Sequence, residues 1–314
     1  MTSLLVFTAV HVLVPLLLLT WQWRAHIASR AQWLARTAAF TAFFIALHLG
    51  GFWTVLPHWL SYVYFVLFVC ASIASFRNAG HPSSSASPRL RIDVAVHAAF
   101  AVLFAAAALY AALGHLAPRT AMVDLAFPLG NGVYAIASGG ANRLMNFHLK
   151  TADEPRFARW RGQSHAVDIV QLNRYGVRAS GFAPREPQRY AIFGKTVLSP
   201  CAGRVEQARG DLPDQNPPRR DAQNLAGNFV FLDCAGVRVL VAHLRQGSLR
   251  VKDGVTVQTG QPLGEAGNSG NTSEPHVHIH AQRPGSVPGA LDGEPLPIRF
   301  AGRYLARNDR VRVP

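Results

Sequence analysis

Hydrophobic positions are unevenly placed along this chain. Four apolar runs, residues 4–21, 37–56, 59–76 and 92–114, are each long enough to cross a hydrocarbon layer, which takes about 20 residues of helix. They predict four transmembrane helices within residues 1–117. The first run has no basic leader and no Ala-x-Ala-like cleavage site, and more spans follow it, so it reads as retained. From residue 118 the texture changes: short stretches with strand-like alternation, at 229–234, 237–242, 255–257 and 276–281, are cut by Gly, Pro, Asn and Asp. They predict a mainly β domain over 118–314, an antiparallel sheet or partly open β-barrel. Residues 210–227, with Pro213, Pro217 and Pro218, read as a long surface loop inserted between two strands of a hairpin. The Ser-rich stretch 82–88 reads as a flexible cytoplasmic linker.

Composition sharpens this picture. With 49% hydrophobic and 15% charged residues over 314 positions, the chain has too much apolar material for disorder to be its main state. Three cysteines, Cys70, Cys201 and Cys234, exclude a disulfide-dense mini-protein. The net charge of +14 favours anionic surroundings, but basicity alone names no partner, and none of nucleic acid is expected.

Residues 1–117 hold six arginines, no lysine and one acid, Asp93. Arg24, Arg30 and Arg36 follow the first run, and Arg77, Arg89 and Arg91 follow the third, while the Pro57-His58 turn has none. Basic loops stay on the cytoplasmic side, so this pattern puts the amino terminus outside and everything after about Pro118 beyond the membrane. Trp21, Trp23, Trp53 and Trp59 suit the aromatic belts at the interfaces. His11, His48 and His97 have no acidic company but Asp93, so hydrogen bonding to neighbouring helices or snorkelling is expected of them, not a proton path. Cys70 is expected as a buried apolar residue of the third span. Cys201 and Cys234 fall on the outer side, on strands that would pair across the inserted loop. A disulfide between them is chemically reasonable, closing about 30 residues and contributing roughly 3 kcal/mol.

The sharpest chemical signal is Glu274-Pro275-His276-Val277-His278-Ile279-His280, preceded by the turn-rich Gly267-Asn268-Ser269-Gly270-Asn271-Thr272-Ser273. Alternate residues of a strand share a face, so His276, His278 and His280 point one way and offer a metal site; the plainer reading is a polar, solvent-facing edge. Residues 264–278 (GEAGNSGNTSEPHVH) resemble the last motif of the lysostaphin-like zinc metallopeptidases, which cleave peptide bonds of peptidoglycan. Val241-Ala242-His243-Leu244 resembles their middle motif, and Val251, Gly254, Val257, Gly260, Gln261 and Gly264 follow the family pattern between the two. Ala166-Val167-Asp168-Ile169 is similar to the core of the first motif, and residues 199–205 to the strand after it. The resemblance covers about residues 130–284.

It implies the lysostaphin-like fold and a zinc held by Asp168 and His278, with His243 and His276 nearby but unbound, polarising the attacking water and stabilising the oxyanion. A catalytic zinc takes three protein ligands and leaves a place for water, whose pKa falls toward 7. Imidazole, with a pKa near 6.5, suits the proton transfers. The first motif departs from the family, which has His where this chain has Ser164. His165 and His148 are the two candidates for the missing ligand. His165 is an odd number of residues from Asp168, on the opposite face of a regular strand. His148, in Asn146-Phe147-His148, could approach from a neighbouring strand, and similarity to membrane-attached relatives with a comparable Asn-x-His favours it. His280 stands where the family commonly has an acid.

The resemblance thus implies a zinc-dependent endopeptidase, cofactor Zn2+, acting on peptidoglycan peptide cross-links in the periplasm at the outer face of a bacterial cytoplasmic membrane. Its partners would be that substrate, the lipid bilayer and a regulatory membrane or periplasmic protein. The other reading is a non-catalytic cell-wall-binding or hydrolase-regulating module with a degenerate zinc site, for which Ser164 is the best argument.

Overall fold

The apolar runs fold as helices because a continuous stretch of that length satisfies its backbone hydrogen bonds only within itself. In the computed structural model, which describes residues 2–24, 27–77, 87–287 and 289–314, four helices are long and apolar enough to cross a membrane: Leu5–Arg24, Arg30–Gly50, Trp59–Arg77 and Pro88–Leu113. Most of the linker expected at 82–88 lies outside the described residues, as do His26 and His81. The second helix is displaced from its expected 37–56. Ser29 caps it by accepting a hydrogen bond from the Gln32 amide, and it stops at Gly50.

The chain forms two units: Met1–Gly51 with His58–Ala112, and Phe52–Pro57 with Leu113–Pro314. Within the helical unit several buried polar groups pair with one another. Buried Gln22 lies within hydrogen-bond distance of Thr37, Ser72 and Ser75, and Arg36 Nε donates to its Oε1 at 3.1 Å. His48 meets Ser61 Oγ on the next helix at 2.9 Å, whereas His11 and His97 bond carbonyls of their own helices, Phe7 and Asp93. Cys70 corrects the expectation of burial. It is exposed, on the same helical stripe as the exposed Val66 and Ile73, and Phe68, Ala71 and Ser72 take the inward face.

The second unit is built on an open antiparallel sheet, in the order Arg310–Val313, Gly132–Ser138, Val167–Gln171, Val277–Gln282, Val237–Leu244, Asn228–Cys234, Gly203–Arg209, Thr256–Val257. The short strand Pro295–Leu296 also pairs with Val277–Gln282, and the sheet does not close into a barrel. As expected, residues 210–227 connect the paired strands Gly203–Arg209 and Asn228–Cys234. Strand alternation sorts the two faces. Ile169, Val239, Val241, Val277, Ile279 and Ala281 enter the main apolar core, while Asp168, Leu240, Ala242, His278 and His280 take the other face and line a groove. Cys201 and Cys234 form a disulfide. Trp53 departs from the expected interface belt: it belongs to this unit and is 2% exposed, against 58% for Trp59, and its amide donates to Asn308 Oδ1.

Candidate metal and catalytic site

Val277–Gln282 is a central strand, and its neighbours decide the site. Its register sets His278 opposite Asp168 on one side and Ala242 on the other, so strand pairing joins residues 110 positions apart. His278 Nδ1 lies 2.9 Å from Asp168 Oδ1, and its Nε2 lies 3.0 Å from His280 Nδ1. Both imidazoles are buried, so the reading of a solvent-facing edge does not hold.

His276 stands just ahead of the strand. Its Nδ1 donates to the Glu274 carbonyl at 2.9 Å, and its Nε2 lies 3.6 Å from Asp168 Oδ1. Since a carbonyl only accepts, the proton sits on Nδ1 and the Nε2 lone pair faces the groove.

His243 reaches the same place by a different device. Val239 and Val241 point to the core, and continued alternation would send residue 243 there too. Instead the pairing steps from Phe229–Ala242 to Asn228–Leu244, leaving His243 as the extra residue of a β-bulge at φ +63°. The bulge turns its ring to the groove. Its amide donates to the Ala226 carbonyl at 3.1 Å and its Nδ1 to that of Ser269 at 2.9 Å, again leaving Nε2 free to act.

His148 comes from the turn after the strand Gly132–Ser138. Asn146 caps the short helix Phe147–Leu149: its Oδ1 accepts from the His148 amide at 3.0 Å and stands 3.1 Å from His148 Nδ1, while its Nδ2 donates to the Ala166 carbonyl. His148 Nε2 thereby lies 3.6 Å from Asp168 Oδ2. Ser164, fully buried, supports this turn at one remove. It meets Thr151 Oγ1 at 2.9 Å, and that hydroxyl donates to the His148 carbonyl at 2.8 Å. His165 lies outside the strand and takes part in neither of the metal-competent groups found among the described residues. Sequence reasoning had no signal for the Ser164–Thr151 support or the bulge at His243, because neither follows a spacing rule.

Those groups are His148, Asp168 and His278, and His243, His276 and His278, each with ligand atoms within 4.8 Å of one another. Two imidazoles and a carboxylate are a donor set that zinc accepts, and a set of three leaves coordination open. The electrostatics suit a cation. Burial alone would raise the Asp168 carboxyl, but the imidazoles of His148, His276 and His278 hold it well below the usual carboxylate range. Burial pushes His148 down to about 4 against the opposing pull of Asp168, and it pushes His243 well below 6.5, so both rings are neutral and keep a lone pair at neutral pH. The groove above them is about 460 Å³, walled by Phe147, Phe157 and Trp160 on one side and by Arg220, Leu225 and Ala226 of the 210–227 connection on another.

Residues 189–288 match peptidase family M23. The chain carries an M23 peptidase domain. The matched segment of this M23 domain includes His243, His276 and His278, while His148 and Asp168 precede it. None of the curated proteins matches the chain. Among solved structures, it is similar to the catalytic domain of the antimicrobial peptidase lysostaphin from Staphylococcus simulans, at 20% identity over 40% of this chain and 71% of that one, TM-score 0.26. It is similar to Helicobacter pylori Csd3 at 16% identity over 62% and 36%, TM-score 0.30, and to a zinc-containing peptidase from Vibrio cholerae at 19% over 42% and 50%, TM-score 0.24. The chain spans 40% of the lysostaphin solution structure and 36% of the Csd3 structure.

Proposed function

We propose that this protein is a membrane-anchored zinc endopeptidase that hydrolyses peptide cross-links of peptidoglycan on the outer face of a bacterial cytoplasmic membrane. The observation that carries this reading is the pair of donor groups sharing His278 at the base of one groove. His148, Asp168 and His278 would hold the metal, which when bound supplies Lewis-acid charge stabilisation and an acidified water. His243 and His276 do the proton work. Each has its Nδ1 proton committed to a backbone carbonyl, so each presents a neutral Nε2 that takes a proton from the attacking water or, once protonated, donates to the developing oxyanion or the leaving amine.

Three features support the placement. The arginine clusters fall in the first and third connections, which supports a cytoplasmic position for both. Phe52–Pro57, the second connection, is built into the same unit as the chain after the fourth helix, as required if both emerge on one side of the bilayer. A disulfide persists in an oxidising compartment.

Ser164 favours the other reading, a wall-binding or regulatory module without catalysis, and one experiment separates the two. Purified full-length protein in detergent is analysed for zinc and incubated with isolated sacculi, and newly exposed amines are identified. One zinc per chain and released amines are expected, with His276→Ala keeping the metal while hydrolysis falls about 100-fold or more. Tight binding to sacculi without zinc or new amines would replace the enzyme with the binder.

A further inference from the structure

Arg178 lies outside the groove and outside every motif, yet its contacts lead to His276. The residue is 6% exposed. Its Nε donates to both Glu274 carboxylate oxygens, at 2.8 and 2.9 Å, and an Nη reaches Oε2 at 2.7 Å. The backbone of Arg178 is held from two directions, the amide donating to the Thr54 carbonyl and the carbonyl accepting from the Ala191 amide, both at 2.9 Å. Glu274 in turn supplies the carbonyl that accepts from His276 Nδ1, and Thr272 Oγ1 donates to that same carbonyl at 2.7 Å.

Pro275 makes this connection stiff. The residue before a proline is confined to extended backbone, so clamping the Glu274 side chain also limits how its carbonyl can turn. A guanidinium fork gripping a carboxylate fixes direction as well as distance, which a lysine ammonium cannot do. The preceding turn, residues 267–273, is fixed by its own side chains, with Asn268 Nδ2 donating to the Gln215 carbonyl at 2.6 Å and Ser269 Oγ to that of Leu244 at 2.7 Å, so Glu274 is held between this turn and Arg178.

We infer that Arg178, acting through Glu274, is a positioning residue for His276, setting the orientation in which its ring presents Nε2 to the groove. The catalytic part of this inference rests on His276 serving as the proton-transfer group proposed above; the orientation itself does not. The test uses the full chain in detergent with 15N-labelled histidine, comparing wild type, Arg178→Ala, Arg178→Lys and Glu274→Ala, with the His276 signal assigned by His276→Gln. In wild type, His276 shows a single tautomer protonated at Nδ1. Arg178→Ala and Glu274→Ala turn that signal into a tautomer mixture and lower kcat on sacculi about 100-fold with KM and zinc content unchanged, and Arg178→Lys recovers only part of the rate.

An unchanged His276 tautomer in both alanine variants overturns the inference whatever the rate does. Should Arg178→Ala lose its zinc along with its fold, Glu274→Ala decides. If wild type releases no amine, the enzyme reading fails, and the tautomer comparison still decides whether Arg178 orients the ring.

Discussion

Asp168 and His278 are direct partners across neighbouring antiparallel strands, with His278 Nδ1 2.9 Å from Asp168 Oδ1. Register makes the pair. A slip of one residue would set Val277 or Ile279 opposite Asp168 and send every imidazole of the strand to the core face. The apolar residues at 277, 279 and 281 therefore protect the site by holding the strand in place.

The metal ligands make the first prediction. His148→Ala should abolish stoichiometric zinc binding, and His165→Ala should leave it intact, because only His148 shares a donor group with Asp168 and His278. Asn146→Ala, which frees the His148 ring without removing it, should weaken zinc binding about 10- to 100-fold. Competition against a chelating dye measures all three. Zinc lost on His165→Ala instead would refute the ligand set.

Reduction of the Cys201–Cys234 bond should be costly. The bridge spans a sequence separation of 33, so in the chain-entropy account its loss removes about 3 to 4 kcal/mol of stability. Denaturant titration of the Cys201→Ser, Cys234→Ser double variant against wild type checks this, and equal midpoints would show the bond to be energetically idle.

Trp53 should matter to the β unit although it lies between two apolar helices in sequence. At 2% exposure, truncation to Ala should destabilise that unit by about 3 to 5 kcal/mol, whereas Trp59→Ala, at 58% exposure, should cost far less. Limited proteolysis of the two variants across denaturant reads the difference.

Alkaline pH should weaken the fold through Tyr190. Burial, together with the Glu274 charge, pushes its hydroxyl up to about 12, and that hydroxyl donates to the Pro184 carbonyl. A folded-state pKa raised above the unfolded value of 10 gives stability that is fully present below pH 10 and is lost as pH rises toward 12, by at most about 3 kcal/mol before solvent screening reduces it. Tyr190→Phe should flatten that part of the pH dependence, and an identical slope in both proteins would exclude Tyr190 as its source.

The sequence by itself determined the kinds of element and the faces they show. A 20-residue apolar run has one stable form in lipid, and alternation at 276–281 puts Val277, Ile279 and Ala281 on one face and His278 and His280 on the other, since both signals arise from backbone geometry within a few residues. The tertiary structure alone decided which distant groups meet. It brought His148 Nε2 to 3.6 Å from Asp168 Oδ2, turned His243 to the groove by a bulge that alternation would not allow, took Phe52–Pro57 into the β unit, and linked Arg178 to His276 through Glu274. Each of these depends on strand pairing and packing between residues far apart in the chain, where local periodicity carries no information about distance.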